Sequence, residues 1–387
     1  MSHEQDKTLA DGEDSFLQIT MKVKELNLKV NLTYGEDQIQ DNGMDGMLQL
    51  MFIFWGVIIP IIGVIGLVGN ILTGIILFRR EMRSTTVYFL RTLVITDTGI
   101  IIGAIMGVSV ISITQLNQHE WLFNHVIYPH IFTPTNYFVM ALQTLNVWAT
   151  VAVSVERYIA ICFPFKSINI CNKRNAYIII GVTTVFSTAY NIPRCFATGY
   201  TVCGNNCFMI ITTEFGQSYF YTVIYSGWLY TILIYVIPLL ILGILNVLLI
   251  LELMRMRQRR CLTNTKENTE FNMSIVLVII VVVFIICQTP GLVAQFHFLD
   301  TVFLMKWTCV SNTLFVLNSS LNFLIYTAVG KKFRTLLLKM AKNCLCRNLY
   351  VNVSNTDREL TTLTTMKETY GTGVKLDELS ALNKPDN

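Results

Sequence analysis

Two groups of residues in this chain stand where chemistry is costly. Asp97 lies in "RTLVITDTGI", about halfway along an apolar run, and Glu156, Arg157 and Tyr158 sit together near the end of another, in "VSVERYIAICFPFK". An ionisable side chain inside hydrocarbon implies a partner or a task. A carboxylate at Asp97 must pair, bind a cation or take a proton. Asn70, Asn146, Asn318 and Asn322 lie at comparable depths in other runs and together can surround it. A small sodium-coordinating pocket would meet the need; interhelical hydrogen bonding alone is the plainer use of the same residues.

Arg157 is near a run's end, where its head can snorkel or pair. Glu156 adjoins it and Glu270 begins the sixth run, so either acid can hold the guanidinium. A contact made in one state and lost in another is what a bistable element requires. Proline supplies the breaks: Pro238 in the fifth run and Pro290 in "FIICQTP" each remove a backbone donor deep in a span. Rotation below Pro290 would carry Glu270 away from Arg157. Enzymatic chemistry is not indicated, because none of the five histidines is matched to a nucleophile or base, with four of them expected outside the runs and His297 at the edge of the sixth. The ten cysteines do not alternate at metal-ligand spacing, and nucleic acid is not an expected partner.

The elements that position these residues are membrane helices. Hydrophobic residues make up 53% of the chain and charged ones 14%, outside the range of a soluble globular protein. Runs able to cross about 30 Å of hydrocarbon occur at 48–78, 84–113, 131–161, 175–193, 220–251, 273–299 and 302–329. Lysine and arginine number 3, 3, 5 and 6 in 79–83, 164–174, 252–271 and 331–347, against one, Arg194, in 114–130 and 194–219. That 17 to 1 partition places the N-terminus outside and the C-terminus in the cytoplasm. The expected division is an extracellular region over 1–47, seven spans over 48–330, a basic amphipathic surface helix over 331–345 and a cytoplasmic tail over 346–387. The first span is expected to act as its own insertion signal. A transporter would also keep acids in its spans, but would show two related halves with broken helices in corresponding positions, and no internal repeat is apparent. Of the sequons, only Asn31 in "NLT" falls on the expected outer side. Cys195, Cys203 and Cys207 cluster where oxidation is permitted, with their pairing open. Cys344 and Cys346 follow the basic segment as candidates for palmitoylation. "TTLTT" at 361–365 and Thr369 offer phosphorylation sites in the tail.

Taken together, "GN" at 69–70, "LVITD" ending at Asp97, "ERY" at 156–158, "FIICQTP" and "NFLIY" at 322–326 resemble, in order and depth, the signatures of the rhodopsin-like (class A) G-protein-coupled receptors, over about residues 48–345. The resemblance implies an all-α seven-transmembrane bundle in the plasma membrane with a short amphipathic helix after the seventh span. It implies a sodium pocket at Asp97, Asn146 and Asn318, with sodium as a modulator and no other cofactor. Arg157 becomes the switch that meets a heterotrimeric G protein, Glu270 the acid that locks it, Tyr326 the residue that swings inward, and Phe333 part of the surface helix. A receptor kinase and an arrestin would act on the tail. The chain also departs from the family pattern: Gln288 stands for a tryptophan, Phe323 for a proline, Asn246 for a tyrosine, Thr183 for a tryptophan, and Phe132 for the outer cysteine of the third helix. Val139 stands where amine receptors need an aspartate, and Val316 where opsins need a lysine. "YNIPRC", "YVIPL", "CQTP" and "NSSLNFLIY" look most like invertebrate receptors for FMRFamide and related peptides such as myosuppressins. A ligand ending in an Arg-Phe amide would meet Glu214, Tyr219, Gln288, Phe298, Asp300 and Trp307. A non-amidated peptide or a lipid is the alternative ligand.

Overall fold

The computed structural model describes residues 49–82, 84–114, 123–202, 208–263, 269–293 and 301–342. Seven of its helices are long and apolar enough to cross a membrane: α1 (Gln49–Leu77), α2 (Thr85–Thr114), α3 (His125–Cys162), α4 (Lys173–Ala197), α5 (Phe220–Gln258), α6 (Ser274–Val293) and α7 (Phe303–Val329). Helices are the form such runs must take, because lipid offers no partner to a free N–H or C=O. α3 is the most buried of the seven and α4 the least. α4 accordingly presents Ile178, Val182 and Val185 outward.

Two apolar clusters knit the bundle. Trp55 and Ile59 of α1, Ile101 and Val108 of α2, and Cys309 and Val316 of α7 form one. Val147 and Val151 of α3, Tyr235 and Leu242 of α5, and Val281 and Phe284 of α6 form the other. Close approach is needed where α1 meets α7: a Cβ on Gly69 would stand 2.8 Å from the Cβ of Phe323. The phenylalanine that replaces a proline in "NFLIY" is thus seated against the glycine of "GN".

Three prolines, Pro238 among them, shape their helices in one way, whereas Pro134 and Pro290 lie inside continuous α-helix. Wider π-helical turns at Phe52–Ile58, Phe123–Ile127 and Thr231–Val236 each end two residues before a proline, Pro60, Pro129 and Pro238. Proline cannot donate to the fourth carbonyl back and its ring crowds that carbonyl, so widening the preceding turn relieves both faults. At α3 this carries the helix outward to His125, six residues beyond the expected start at 131, and takes His125 and His130 into the helix. At the basic-loop end, the Asn172 side chain caps α4 by accepting from the Asn175 N–H at 2.9 Å. Arg91 donates to the Leu77 carbonyl at 2.8 and 3.0 Å, with its guanidinium 4.6 Å over the Phe78 ring. A cation there complements the negative end of α1.

One element departs from the all-helical expectation. After α4 the chain forms an antiparallel hairpin, β1 (Thr198–Val202) with β2 (Phe208–Thr212), in register from Thr198↔Thr212 to Val202↔Phe208. Residues 331–342 form a further helix, in which Phe333 is buried; the last three positions of the expected surface helix lie outside the described residues, as do Asn31, Cys203, Cys207, Phe298, Asp300, Cys344 and Cys346.

Candidate functional site

The site has three storeys along the bundle. In the middle, Asp97 is wholly buried and each carboxylate oxygen receives an amide N–H, Oδ1 from Asn146 at 2.8 Å and Oδ2 from Asn322 at 2.6 Å. The Asn146 amide is shared with Thr96 Oγ1 at 2.8 Å. Asn318, expected in this set, does not donate to Asp97; Asn322 takes its place. The two lie one helical turn apart on the same face of α7, and the turn level with Asp97 is the inner one. Asn70 Nδ2 reaches the Ser319 carbonyl at 3.1 Å, and the Ser319 hydroxyl hydrogen-bonds the Asp97 carboxylate, while Asn70 Oδ1 is buried without a hydrogen-bond partner. Carboxylate, hydroxyl and amide oxygens gathered in one buried place are the hard donors a small cation takes, so these residues fit sodium.

At the basic-loop end Arg157 forms a two-pronged pair with Glu156, Nε–Oε2 and Nη2–Oε1 both at 2.7 Å. Both residues are buried. Thr86 of α2 donates to the same Oε2 at 2.8 Å, so the acid is held from a second helix. Burial, with the charge of Glu156, keeps the nearby Cys171 thiol above its ordinary value, and its S–H points to the Glu156 carbonyl at 3.9 Å. Tyr158 packs edge-on against Phe163 at 5.8 Å. Tyr326 is buried in α7, one turn beyond Asn322. Glu270 lies in the first turn of the helix that leads into α6, with its side chain outside the described residues. In the short helix Pro164–Ile170, Phe165 is 89% exposed and Ile168 76%, an apolar face that the sequence did not single out.

In the half of the bundle opposite the basic loops, a cavity partly open to solvent lies between α1, α2, α3, α5, α6 and α7. Val139, Gln143, Tyr235, Gln288, Thr308, Ser311, Asn312 and Val316 are among its walls, and none of the described residues lining it is charged. Gln288 Nε2 and Asn312 Nδ2 are buried without an acceptor. Of the expected ligand contacts among the described residues, Gln288 alone is brought to this cavity. Trp307 is drawn away: its indole N–H donates to the Pro290 carbonyl at 2.7 Å and its ring stacks on Phe303. Glu214 and Tyr219 are exposed, beyond β2 and just before α5. Tyr235 lies against Gly291, where a Cβ would meet its hydroxyl at 2.7 Å, so glycine is needed beside Pro290.

The hairpin is fastened to α3 without a covalent bond among the described residues. Phe132, 1% exposed, packs with Tyr128, Ile111 of α2 and Ile210 of β2. Thr133 and Thr198 share a hydrogen bond at 2.9 Å, and the His130 ring lies 4.5 Å from that of Tyr200 and 4.7 Å from that of Phe208. Cys195, one of three candidates whose pairing the sequence left open, is an exposed free thiol. Arg194, counted with the loops in the sequence, is the largest of the fully buried side chains among the described residues. Its Nε donates to Asn191 Oδ1 at 3.0 Å, and its guanidinium lies over the rings of Tyr230 and Tyr225 at 5.0 and 5.8 Å. Asn191 in turn donates to Thr144 at 3.0 Å, so this cation joins α3, α4 and α5.

Comparison with known proteins agrees with this arrangement. Residues 69–326 match the family model described as 7 transmembrane receptor (rhodopsin family). An FMRFamide receptor of Drosophila melanogaster is 35% identical over 74% of this chain, which spans about half (53%) of that relative's length. Neuromedin-U receptor 2 of Mus musculus is 26% identical over 72% of each chain. An FMRFamide peptide receptor of Caenorhabditis elegans is 26% identical over 74% of this chain and 69% of its own.

Proposed function

The chain belongs to the rhodopsin family of seven-transmembrane receptors, whose members are receptors and not enzymes, and on that premise we propose that it binds an extracellular amidated peptide of the FMRFamide type and activates a heterotrimeric G protein. The cavity carries this reading. Among the described residues, the pocket walled by Val139 and Val316 has neither an acid for an amine nor a lysine for retinal, and two relatives are named for FMRFamide. The 17 to 1 basic partition supports a cytoplasmic C-terminus and a plasma-membrane chain with its cavity facing outward. The G protein would then meet the end where Glu156 holds Arg157, with Phe165 as an apolar contact on the neighbouring short helix. Sodium bound by Asp97, with Ser319 and Asn70 supplying further oxygens, would favour the packing in which α2, α3 and α7 converge. Glycosylation at Asn31, palmitoylation at Cys344 and Cys346, and kinase and arrestin action on the tail complete the proposal.

A screen in cells carrying several G-protein reporters tests it. Amidated peptides ending in Arg-Phe should evoke a response that mock-transfected cells lack. A response confined to biogenic amines, to lipids or to non-amidated peptides would overturn the ligand class.

A further inference from the structure

We propose that the floor of the cavity is a subsite for a primary carboxamide, read by Gln288 and Asn312. This deepens the receptor proposal and rests on it only for the identity of the larger ligand. Gln288 is 3% exposed, and its Nε2, like Nδ2 of Asn312, which lines the same cavity, has no acceptor. Leaving a buried N–H unpaired is costly, and two at one cavity call for an acceptor oxygen there.

The hydroxyls on the same wall decide what kind of group carries that oxygen. Thr308 Oγ1 donates to the Leu304 carbonyl at 2.8 Å, and Ser311 Oγ to the Trp307 carbonyl at 2.9 Å. With their hydrogens so engaged, the hydroxyl oxygens of these two lining residues keep their lone pairs as acceptors. Besides Gln143 and Tyr235, the described lining therefore offers two unpaired N–H donors and two hydroxyl acceptors, and no charge. A primary carboxamide supplies the complement, one carbonyl oxygen and an NH₂ group. A carboxylate supplies acceptors only: its lone pairs would face those of Thr308 and Ser311, and its charge would be desolvated with no cation in the described lining. A charged ammonium would be desolvated with no acid in the described lining to pair it. Because a carboxamide pairs with another carboxamide in either sense, the fit holds whichever end of the Gln288 amide faces the cavity. The glutamine that replaces a tryptophan here is, on this account, a specificity residue.

The test uses the full-length receptor purified in detergent and three small probes: N-acetylphenylalaninamide, its free acid N-acetylphenylalanine, and its N,N-dimethylamide, which accepts but cannot donate. Each is titrated while the unfolding midpoint is followed. The primary amide should raise the midpoint in a saturable way, and the acid and dimethylamide should bind about tenfold or more weakly, the factor set by one or two lost buried hydrogen bonds. Gln288→Leu and Asn312→Leu should each abolish that preference; Gln288→Met and Asn312→Ser serve if either leucine variant does not fold. Equal binding of amide and acid, retention of the preference in both substitutions, or no saturable shift with any probe would overturn the subsite. A parallel arm applies Phe-Met-Arg-Phe-amide and its free acid to reporter cells. A silent tetrapeptide beside amide-selective binding of the small probes would remove the FMRFamide assignment and leave the subsite standing. Equal responses to its amide and acid would remove the subsite and leave the receptor standing.

Discussion

Replacing Phe132 by alanine should loosen the β-hairpin from α3. The ring is 1% exposed and packs with Tyr128 at 5.5 Å between centroids, with Ile210 of the hairpin and with Ile111 of α2. Truncating a buried phenylalanine costs about 3–5 kcal/mol. The ring touches both the bundle and the hairpin, and if the loss divides evenly, about 1.5–2.5 kcal/mol falls on the hairpin contact, equivalent to a roughly 10- to 70-fold larger open population. Amide hydrogen exchange of the purified receptor, read by mass spectrometry on peptides covering Phe208–Thr212, measures that population. Phe132→Leu keeps most of the volume and should change exchange far less. Unaltered protection of Phe208–Thr212 in Phe132→Ala, with the variant folded, would refute the idea that apolar packing at Phe132 holds the hairpin.

Thr86→Val removes the donor that holds Glu156 from α2 and should raise ligand-free signalling about two- to tenfold at matched surface expression, the range set by one hydrogen bond; unchanged basal signalling would return Thr86 to a packing role. Replacing sodium by choline at constant ionic strength should strengthen agonist binding in the wild type and leave Asp97→Asn indifferent, as measured by competition binding; equal sodium dependence in both would show that Asp97 serves the amide network alone. Alkylation of the folded protein followed by disulfide mapping should find Cys195 modified, as a free thiol, and Cys203 joined to Cys207, since these cysteines follow and precede the paired residues Val202 and Phe208. A bond from Cys195 to either would contradict this.

Asp97, Arg157 and the seven spans were legible in the sequence for one reason. Charge in hydrocarbon is too costly to be incidental, and basic residues sort to one side. What could not be read depended on how helices meet. Asn318 and Asn322 share a face of α7, and only the packing of α7 on α2 decides which turn is level with Asp97. Trp307 suits a ligand contact by its type and height, but its indole bonds the Pro290 carbonyl, a pairing between helices that spacing does not encode. Arg194 looked like a loop residue because its compensation comes from the faces of two tyrosines and from Asn191, contributed by two different helices. Thr86 and Asn312 are ordinary polar residues within spans; a closer tally of amides in apolar runs would have found Asn312. Phe132 was noticed only as a missing cysteine, and the aromatic packing that stands there became visible with Ile210.

The central claim is that ligand at the uncharged cavity drives nucleotide exchange at the Arg157 end, and reconstitution tests it most directly. Purified receptor in vesicles with purified heterotrimeric G proteins, exposed to Phe-Met-Arg-Phe-amide, should accelerate GTP-analogue uptake by at least one G protein. Arg157→Ala should bind the peptide with nearly unchanged affinity, because residue 157 lies about 27 Å along α3 from Val139 at 1.5 Å per residue, and should fail to accelerate uptake. Peptide-driven uptake at the wild-type rate by Arg157→Ala, or peptide binding that accelerates uptake by none of the G proteins, would contradict the account.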